Sequence, residues 1–317
     1  MSSSIIEDMC INTHRELNYL TLLFVIHHTA DDSVIYNLLY KTMDILKSIP
    51  PATLVPDETQ RFAEVVAKLP EDILSSQAVY ESRRAERQRR DVLEAKQAEI
   101  EEAGLGEPDD VDETPDELVV SINELFRVLR NSQIIGQILR NRYGNLDRQT
   151  IEDMIQTIAD GGLQLVNVVL ESEDRIADWA SYIGQKSGEW SVERIKEALR
   201  MVSFYWTMLN IEIVVGVFNV PEIRRDIDSV VRKNSTPAFD LIKYFCLLDS
   251  ATELTERERK SLRSLLREHD DLFIRRVLSL RTQRYMNTHR SGEPIERSIC
   301  SVLGIAYKPR LWPASEA

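Results

Sequence analysis

Apolar residues in this chain recur at intervals of three or four, which is the period of an α-helix rather than the alternation of a β-strand. The longest such stripe lies within 118–146 and comprises Leu118, Ile122, Leu125, Phe126, Leu129, Ile134, Ile135, Ile138 and Leu139. Thr114, Pro115 and Glu117 precede it as an N-cap, a first helical residue and the acid of a capping box. The pattern therefore predicts a helix that begins at Thr114.

The same period predicts further helices at 16–28, 33–48, 57–69, 150–170, 192–220, 222–233, 237–249, 255–268, 270–289 and 294–303. Thr255 and Glu258 have the spacing of a capping box, and Asp147 or Asn145 is expected to cap the helix of 150–170. We therefore predict an all-α protein, folded as an irregular multi-helix bundle or as stacked helical hairpins.

Glycines inside these helical patterns need a reason, because glycine in a helix interior costs about 1 kcal/mol relative to alanine. Gly136 lies within the longest stripe, where either close approach of another backbone or a local accident explains it. Gly161 and Gly162 are expected to interrupt the helix of 150–170.

Composition divides the chain into four parts. We assign 1–70 to an N-terminal helical unit, 71–117 to a charged arm and acidic linker, 118–306 to a C-terminal helical domain and 307–317 to a tail. The arm combines a helix of mixed charge, which i,i+4 pairs would stabilise in solvent, with a loop in which seven of eleven residues are acidic. It is the predicted partner-binding surface, through Arg83, Arg84, Arg87, Arg90, Asp109, Asp110 and Asp112.

Charge and cysteine content narrow the class of protein. A net charge of −13 works against non-specific nucleic-acid binding, which depends on basic surface to release counterions. An apolar fraction of 43% and a charged fraction of 29% are typical of a soluble globular protein. Three widely spaced cysteines fit a reducing cytoplasm better than a disulfide framework, and the N-terminus lacks the basic region of a signal peptide.

One apolar segment, 201–220, is long enough to span a bilayer. Asn210 and Glu212 lie in its middle, and a charge there costs roughly 2.5–3.5 kcal/mol in a membrane. A core helix of a soluble protein is therefore the favoured interpretation, and no membrane is expected among the partners.

Several catalytic and cofactor motifs are missing from the sequence. It contains no GxxxxGK[ST], GxGxxG, GxSxG, HExxH or CxxC, so neither a phosphate loop nor a zinc clip of those kinds is predicted. His27 with Asp31 and His28 with Asp32 have the i,i+4 spacing of metal ligands, but the polar end of an apolar helix explains them better. We predict no metal and no cofactor.

An alternative is catalytic. Arg284 and His289 have the R-x4-H spacing found in HEPN ribonucleases, which are all-helical and use the pair on an RNA phosphate and ribose hydroxyl. Tyr285 stands where that family usually has a small polar residue, and Arg263 with His269 fits a looser form of the pattern. The surrounding basic residues could instead contact an acidic partner or RNA, although a solvated helix face is the simpler reading; they are Arg275, Arg276, Arg281, Arg284, Arg290 and Arg297.

Several runs resemble the C-terminal helical region of bacterial STAND NTPases of antiphage defence. In chain order these are LLFVIHHTADD, PPATL, RRAERQRRD, VLRNSQIIGQILRNRYGNL, VVRKNSTPAFDLIKYFCLLD and IERSICSVLGI. The resemblance implies helices that recognise a trigger protein or hold an ATPase in its resting or assembled state. The family's ATPase and effector domains have no counterpart in the chain.

Three functions remain open from the sequence. The resemblance favours a non-catalytic, cytoplasmic protein-interaction module whose partner is an effector, an ATPase or a phage protein, with homo-oligomerisation possible in principle. The second is a HEPN-like ribonuclease or toxin that uses Arg284 and His289. The third is a free-standing acidic adaptor or antitoxin that neutralises a basic partner.

Overall fold

The computed structural model describes residues 3–28, 33–68, 122–187, 191–218, 221–289 and 291–307, and every regular element within these ranges is helical. The predicted all-α fold is therefore confirmed. The helices are α1 (Ser3–Ile11), α2 (Glu16–His28), α3 (Ser33–Ile45), α4 (Pro56–Thr59), α5 (Ala63–Lys68), α6 (Ile122–Arg142), α7 (Arg148–Ser187), α8 (Val192–Val217), α9 (Arg224–Asn234), α10 (Pro237–Asp249), α11 (Glu256–Glu268), α12 (Leu272–Thr288) and α13 (Glu293–Leu303).

Helices from the N-terminal and C-terminal ranges of the sequence share one core. Contacts join α2 and α3 to α6, and α3 also packs on α7. Leu46, Val128 and Leu165 are buried together where these elements meet. Met1–Lys68 and Val120–Tyr307 accordingly form one compact unit, whereas the sequence places 1–70 and 118–306 in separate helical units. The predicted arm and the helix start at Thr114 lie outside the described residues.

The pair α7 and α8 forms the centre of the fold. Asp147 caps α7, because its carboxylate accepts from the Thr150 amide at 3.0 Å and from the Thr150 hydroxyl at 2.6 Å. The helix then runs without a break through Gly161 and Gly162, so the expected interruption there is wrong. Contact with neighbouring helices keeps both glycines helical despite their low propensity.

Two glycines let α8 approach closely. A Cβ built on Gly162 would lie 2.2 Å from Val214 Cγ2, and one built on Gly136 of α6 would lie 2.2 Å from Val217 Cγ1. Such separations are far below van der Waals contact, so a side chain at either position would force the neighbouring valine or its helix to shift. The close approach inferred for Gly136 is thus confirmed: the Val217 side chain lies nearest, and the Val217 carbonyl oxygen lies 3.5 Å from the same Cβ position.

The apolar segment 201–220 belongs mainly to α8, which ends at Val217. By length and composition alone this helix could cross a membrane. One of its faces is in the protein core, where Phe204, Ile211 and Val214 are buried. Asn210 is also buried, and its amide nitrogen donates to the Trp206 carbonyl at 2.9 Å. The other face of α8 is exposed, so this is a core helix on one side only and not one that is enclosed on all sides.

The capping residues read from the sequence locate the start of a C-terminal helix correctly. The capping box is confirmed: the Glu258 carboxylate accepts from the Thr255 amide at 2.8 Å, and the Thr255 hydroxyl caps α11. The N-terminal part is predicted less accurately. The helix predicted at 57–69 contains a 3-10 turn at Gln60–Phe62. The pattern gives no prediction for α1, whose nine residues form only about two and a half turns.

Candidate functional site

The side chain of Arg284, one of the two residues of the ribonuclease alternative, is tied to another helix. It projects from α12, and its Nη1 donates to both carboxylate oxygens of Glu212 on α8, at 2.9 and 2.7 Å. A carboxylate in this position competes with any phosphate for the guanidinium. The pair also explains the acidic residue in the middle of the apolar helix α8.

A second arginine extends this tie to α10. Arg281 lies 3.5 Å from Glu212, forms an ion pair with Asp249 and packs its guanidinium over the Phe245 ring, 5.5 Å from the centroid. Burial raises the pKa of Asp249 and Glu212 adds to the effect, while Arg281 opposes it. The network of two arginines and two acids joins α8, α10 and α12, so its members have a role in holding these helices together.

His289 directly follows the end of α12 and has partners of its own. Its ring stacks on Tyr285 with the centroids 4.1 Å apart and the planes at 2°. Its Nδ1 lies 2.8 Å from the Thr288 hydroxyl. The tyrosine that departs from the HEPN pattern is thus the residue on which the histidine packs, and the Tyr285 hydroxyl donates to the Ala251 carbonyl at 2.8 Å.

Other predicted site residues lie outside the described residues. This applies to the whole partner-binding set of Arg83, Arg84, Arg87, Arg90, Asp109, Asp110 and Asp112, and to Asp31 and Asp32 of the metal alternative. His28 is described, and its ring packs against Phe24 at 4.3 Å. In the looser Arg263–His269 pattern, the side chain that His269 contacts is Asp240, with its Nε2 2.8 Å from the Asp240 Oδ2.

The most unusual surface in the described part of the chain is on α2. Leu17, Leu20 and Phe24 are 76%, 51% and 65% exposed, at the spacing of one helix face. The opposite face supplies Leu22 and Ile26 to the core. A surface helix of a monomeric protein normally has one apolar face, so α2 carries a second apolar face that the described part of the chain does not bury.

Two other helices present similar faces. Tyr36, Tyr40 and Met43 are more than half exposed on α3, at intervals of four and three. Val202, Tyr205 and Leu209 are at least half exposed on α8, on the side away from its buried residues. We call these three stripes, on α2, α3 and α8, the apolar faces. Aromatic and aliphatic side chains with few charges are the composition of protein–protein contact surfaces.

The sequence contains the signal for the α2 face, although we did not predict it as a surface. ELNYLTLLFVIHH is apolar on nearly every side of a helical wheel, which reads as a fully buried helix. Only the neighbours of α2 in three dimensions show that one side is uncovered by the described residues.

No protein-family model, no curated protein and no solved structure matches this chain.

Proposed function

We propose that this chain is a non-catalytic protein-interaction module of a bacterial antiphage defence system, acting in the cytoplasm. The observation that carries the proposal is the α2 face, where Leu17, Leu20 and Phe24 stand in solvent opposite a buried face of the same helix. Complete burial of a leucine or phenylalanine side chain contributes roughly 1.5–3 kcal/mol, so covering these three residues supplies substantial binding free energy.

The shape and charge of the apolar faces favour a protein as the partner. Each face is a narrow stripe with the i, i+3 or i+4, i+7 spacing against which another helix packs. The net charge of −13 repels nucleic acid and anionic lipid surfaces alike. A partner helix with an apolar stripe and basic flanks complements both properties.

The defence role rests on the resemblance to the STAND helical region. The residues that carry it fall on α2, α6, α9, α10 and α13 and on the loop at 50–54, while the run RRAERQRRD lies outside the described residues. In that family such helices recognise a trigger or restrain an ATPase, and both tasks require surfaces that a protein partner covers. An effector, an ATPase or a phage protein is therefore the proposed partner.

The test replaces two residues of the α2 face, Leu17→Ser with Phe24→Ser, in cells that express the chain together with the genes encoded beside it. We expect the double variant to lose protection against phage in a plating assay while its unfolding midpoint stays unchanged. The matched control, Asp44→Ser with Lys47→Ser, removes an exposed ion pair between the last turn of α3 and the residues that follow it, and should retain protection. Full protection by the α2 variant would overturn the proposal.

The ribonuclease alternative is tested separately, because its residues lie on another helix. If Arg284 and His289 acted as phosphate ligand and acid–base, Arg284→Ala and His289→Ala would each abolish RNA cleavage. We expect the purified chain to leave RNA intact and both variants to retain protection, since both side chains have structural partners. Cleavage by the wild type that either variant loses would establish the enzyme instead.

A further inference from the structure

Three potential metal ligands converge where α10 begins and α11 ends. Asp240 lies in the first turn of α10, Glu268 is the last residue of α11 and His269 follows it. The His269 Nε2 is 2.8 Å from the Asp240 Oδ2, and one carboxylate oxygen of Glu268 completes a set of atoms that all lie within 4.8 Å of one another. Two of the ligands come from one helix end and the third from a different helix.

Neither carboxylate of this cluster forms an ion pair with a lysine or arginine in the described part of the chain. Glu268 accepts a hydrogen bond from the Ser264 hydroxyl at 2.8 Å, and Asp240 contacts only the His269 ring. Nearby charges are committed elsewhere: Lys243 pairs with Asp228 at 3.1 Å and Arg275 pairs with Asp270 at 2.6 Å. Apart from His269, whose contact with Asp240 is an ion pair only when the ring is protonated, no cationic side chain among the described residues pairs with the two carboxylates.

We propose that Asp240, Glu268 and His269 bind a Zn²⁺ ion that joins α10 to α11. One imidazole nitrogen and two carboxylate oxygens match the ligand preference of zinc, whereas Ca²⁺ and Mg²⁺ take oxygen ligands in larger number. With metal–ligand bonds of about 2.0–2.2 Å, tetrahedral ligands stand roughly 3.3 Å apart. A small separation of His269 from Asp240 therefore creates room for the ion.

The chemistry of the histidine is consistent with this change. An ionised carboxylate only accepts hydrogen bonds, so in its contact with an ionised Asp240 the His269 ring donates from Nε2. Metal binding uses the Nε2 lone pair, so the Nε2 proton is displaced when the ion binds, to Nδ1 where that nitrogen is unprotonated and otherwise to solvent. Glu268 is exposed, so the site is open to solvent and water supplies the fourth ligand.

The test measures Zn²⁺ binding to the purified chain by calorimetry after treatment with a chelator, with Co²⁺ absorption as a second signal for nitrogen and oxygen ligation. We expect one ion per chain and a higher melting temperature with Zn²⁺. Glu268→Gln should weaken binding at least about tenfold without altering the fold, because that side chain contacts only Ser264 on its own helix.

Two further variants complete the test. Asp240→Asn should weaken binding more than Glu268→Gln, since it removes a charge and the ligand from the second helix. His289→Ala is the control, because that histidine stacks on Tyr285 away from the cluster, and it should bind Zn²⁺ as the wild type does. Absence of Zn²⁺ binding, or binding that the Glu268 and Asp240 variants leave unchanged, would overturn the proposal.

Discussion

At the scale of single residues, Gly162 shows how one missing side chain determines the packing of two helices. A methyl group there would lie 2.2 Å from Val214 Cγ2, and a β-branched side chain has little rotamer freedom to move away. Overpacking of this kind costs about 1–3 kcal/mol, which exceeds the gain of about 1 kcal/mol in helix propensity. We predict that Gly162→Ala lowers the free energy of unfolding by about 1 kcal/mol, measured by urea denaturation.

Gly216 on α8 is the matched control for this prediction. Apart from its chain neighbours and the backbone of its own helix, no atom lies within 4 Å of a Cβ built there, so Gly216→Ala gains helix propensity without a clash. It should raise the free energy of unfolding by up to about 0.5–1 kcal/mol. Equal effects of the two substitutions would show that the close contact of α7 with α8 is not what places glycine at 162.

The three cysteines are buried thiols outside any disulfide, which leads to a prediction about reactivity. Burial, with a smaller contribution from Glu7 and against Lys41, raises the pKa of Cys10 to about 12, and burial raises the pKa of Cys246. Only the thiolate reacts with thiol reagents, so the native protein should be inert at pH 8 and react with three equivalents in guanidinium. Fast reaction of one thiol in the native protein would contradict the packing.

At the scale of elements, the two arginines that join α8, α10 and α12 should contribute unequally to the free energy of unfolding. Arg281 is 13% exposed and contacts two acids, whereas Arg284 is 58% exposed. Removal of the largely buried Arg281 leaves Asp249 without its charge partner, while Glu212 keeps Arg284, so Arg281→Ala should lower the free energy of unfolding by about 2–3 kcal/mol. Arg284→Ala should lower it by less than about 1 kcal/mol, because solvent screens that pair.

The two variants are compared by urea denaturation at the same pH and salt. A larger loss for Arg284→Ala than for Arg281→Ala would show that the exposed pair, not the buried one, holds α12 to α8.

The sequence predicts helices better than it predicts their faces. Caps such as Asp147 and Thr255 act within four residues, so they can be read locally. The partner of Arg284 lies 72 residues away in the chain, and no spacing rule reveals such a contact. The two-sided α2 looks like a core helix in sequence, because periodicity reports how many sides are apolar and not which of them are covered.

The cluster of Asp240, Glu268 and His269 also escapes prediction because its contacts are distant in sequence. Asp240 precedes Glu268 by 28 positions and His269 by 29, and only the packing of α10 against α11 brings the three together. Adjacent Glu–His pairs are common on helix ends, so the sequence offers no signal for a third ligand.

At the scale of the whole molecule, the charged arm is predicted to serve the partner and not the core. We expect deletion of 84–112, with a short Gly/Ser bridge, to change the free energy of unfolding by less than about 1 kcal/mol, because the entropy of loop closure varies slowly with length. The same deletion should weaken partner binding, most at low salt, since exposed charges steer association and are screened over about 8–10 Å. An unfolded deletion variant would assign the arm to the core.

The central claim is that α2 presents its outer face to a protein, and site-specific photocrosslinking in cells tests it most directly. A photoreactive amino acid is placed at Leu20 on the α2 face or, as the control, at the exposed Lys260 on α11. In cells that carry the neighbouring genes, we expect one discrete protein adduct from position 20 and none from position 260. The adduct at position 20 should disappear when Leu17→Ser and Phe24→Ser are introduced. No adduct at position 20, or the same adducts at both positions, would contradict it.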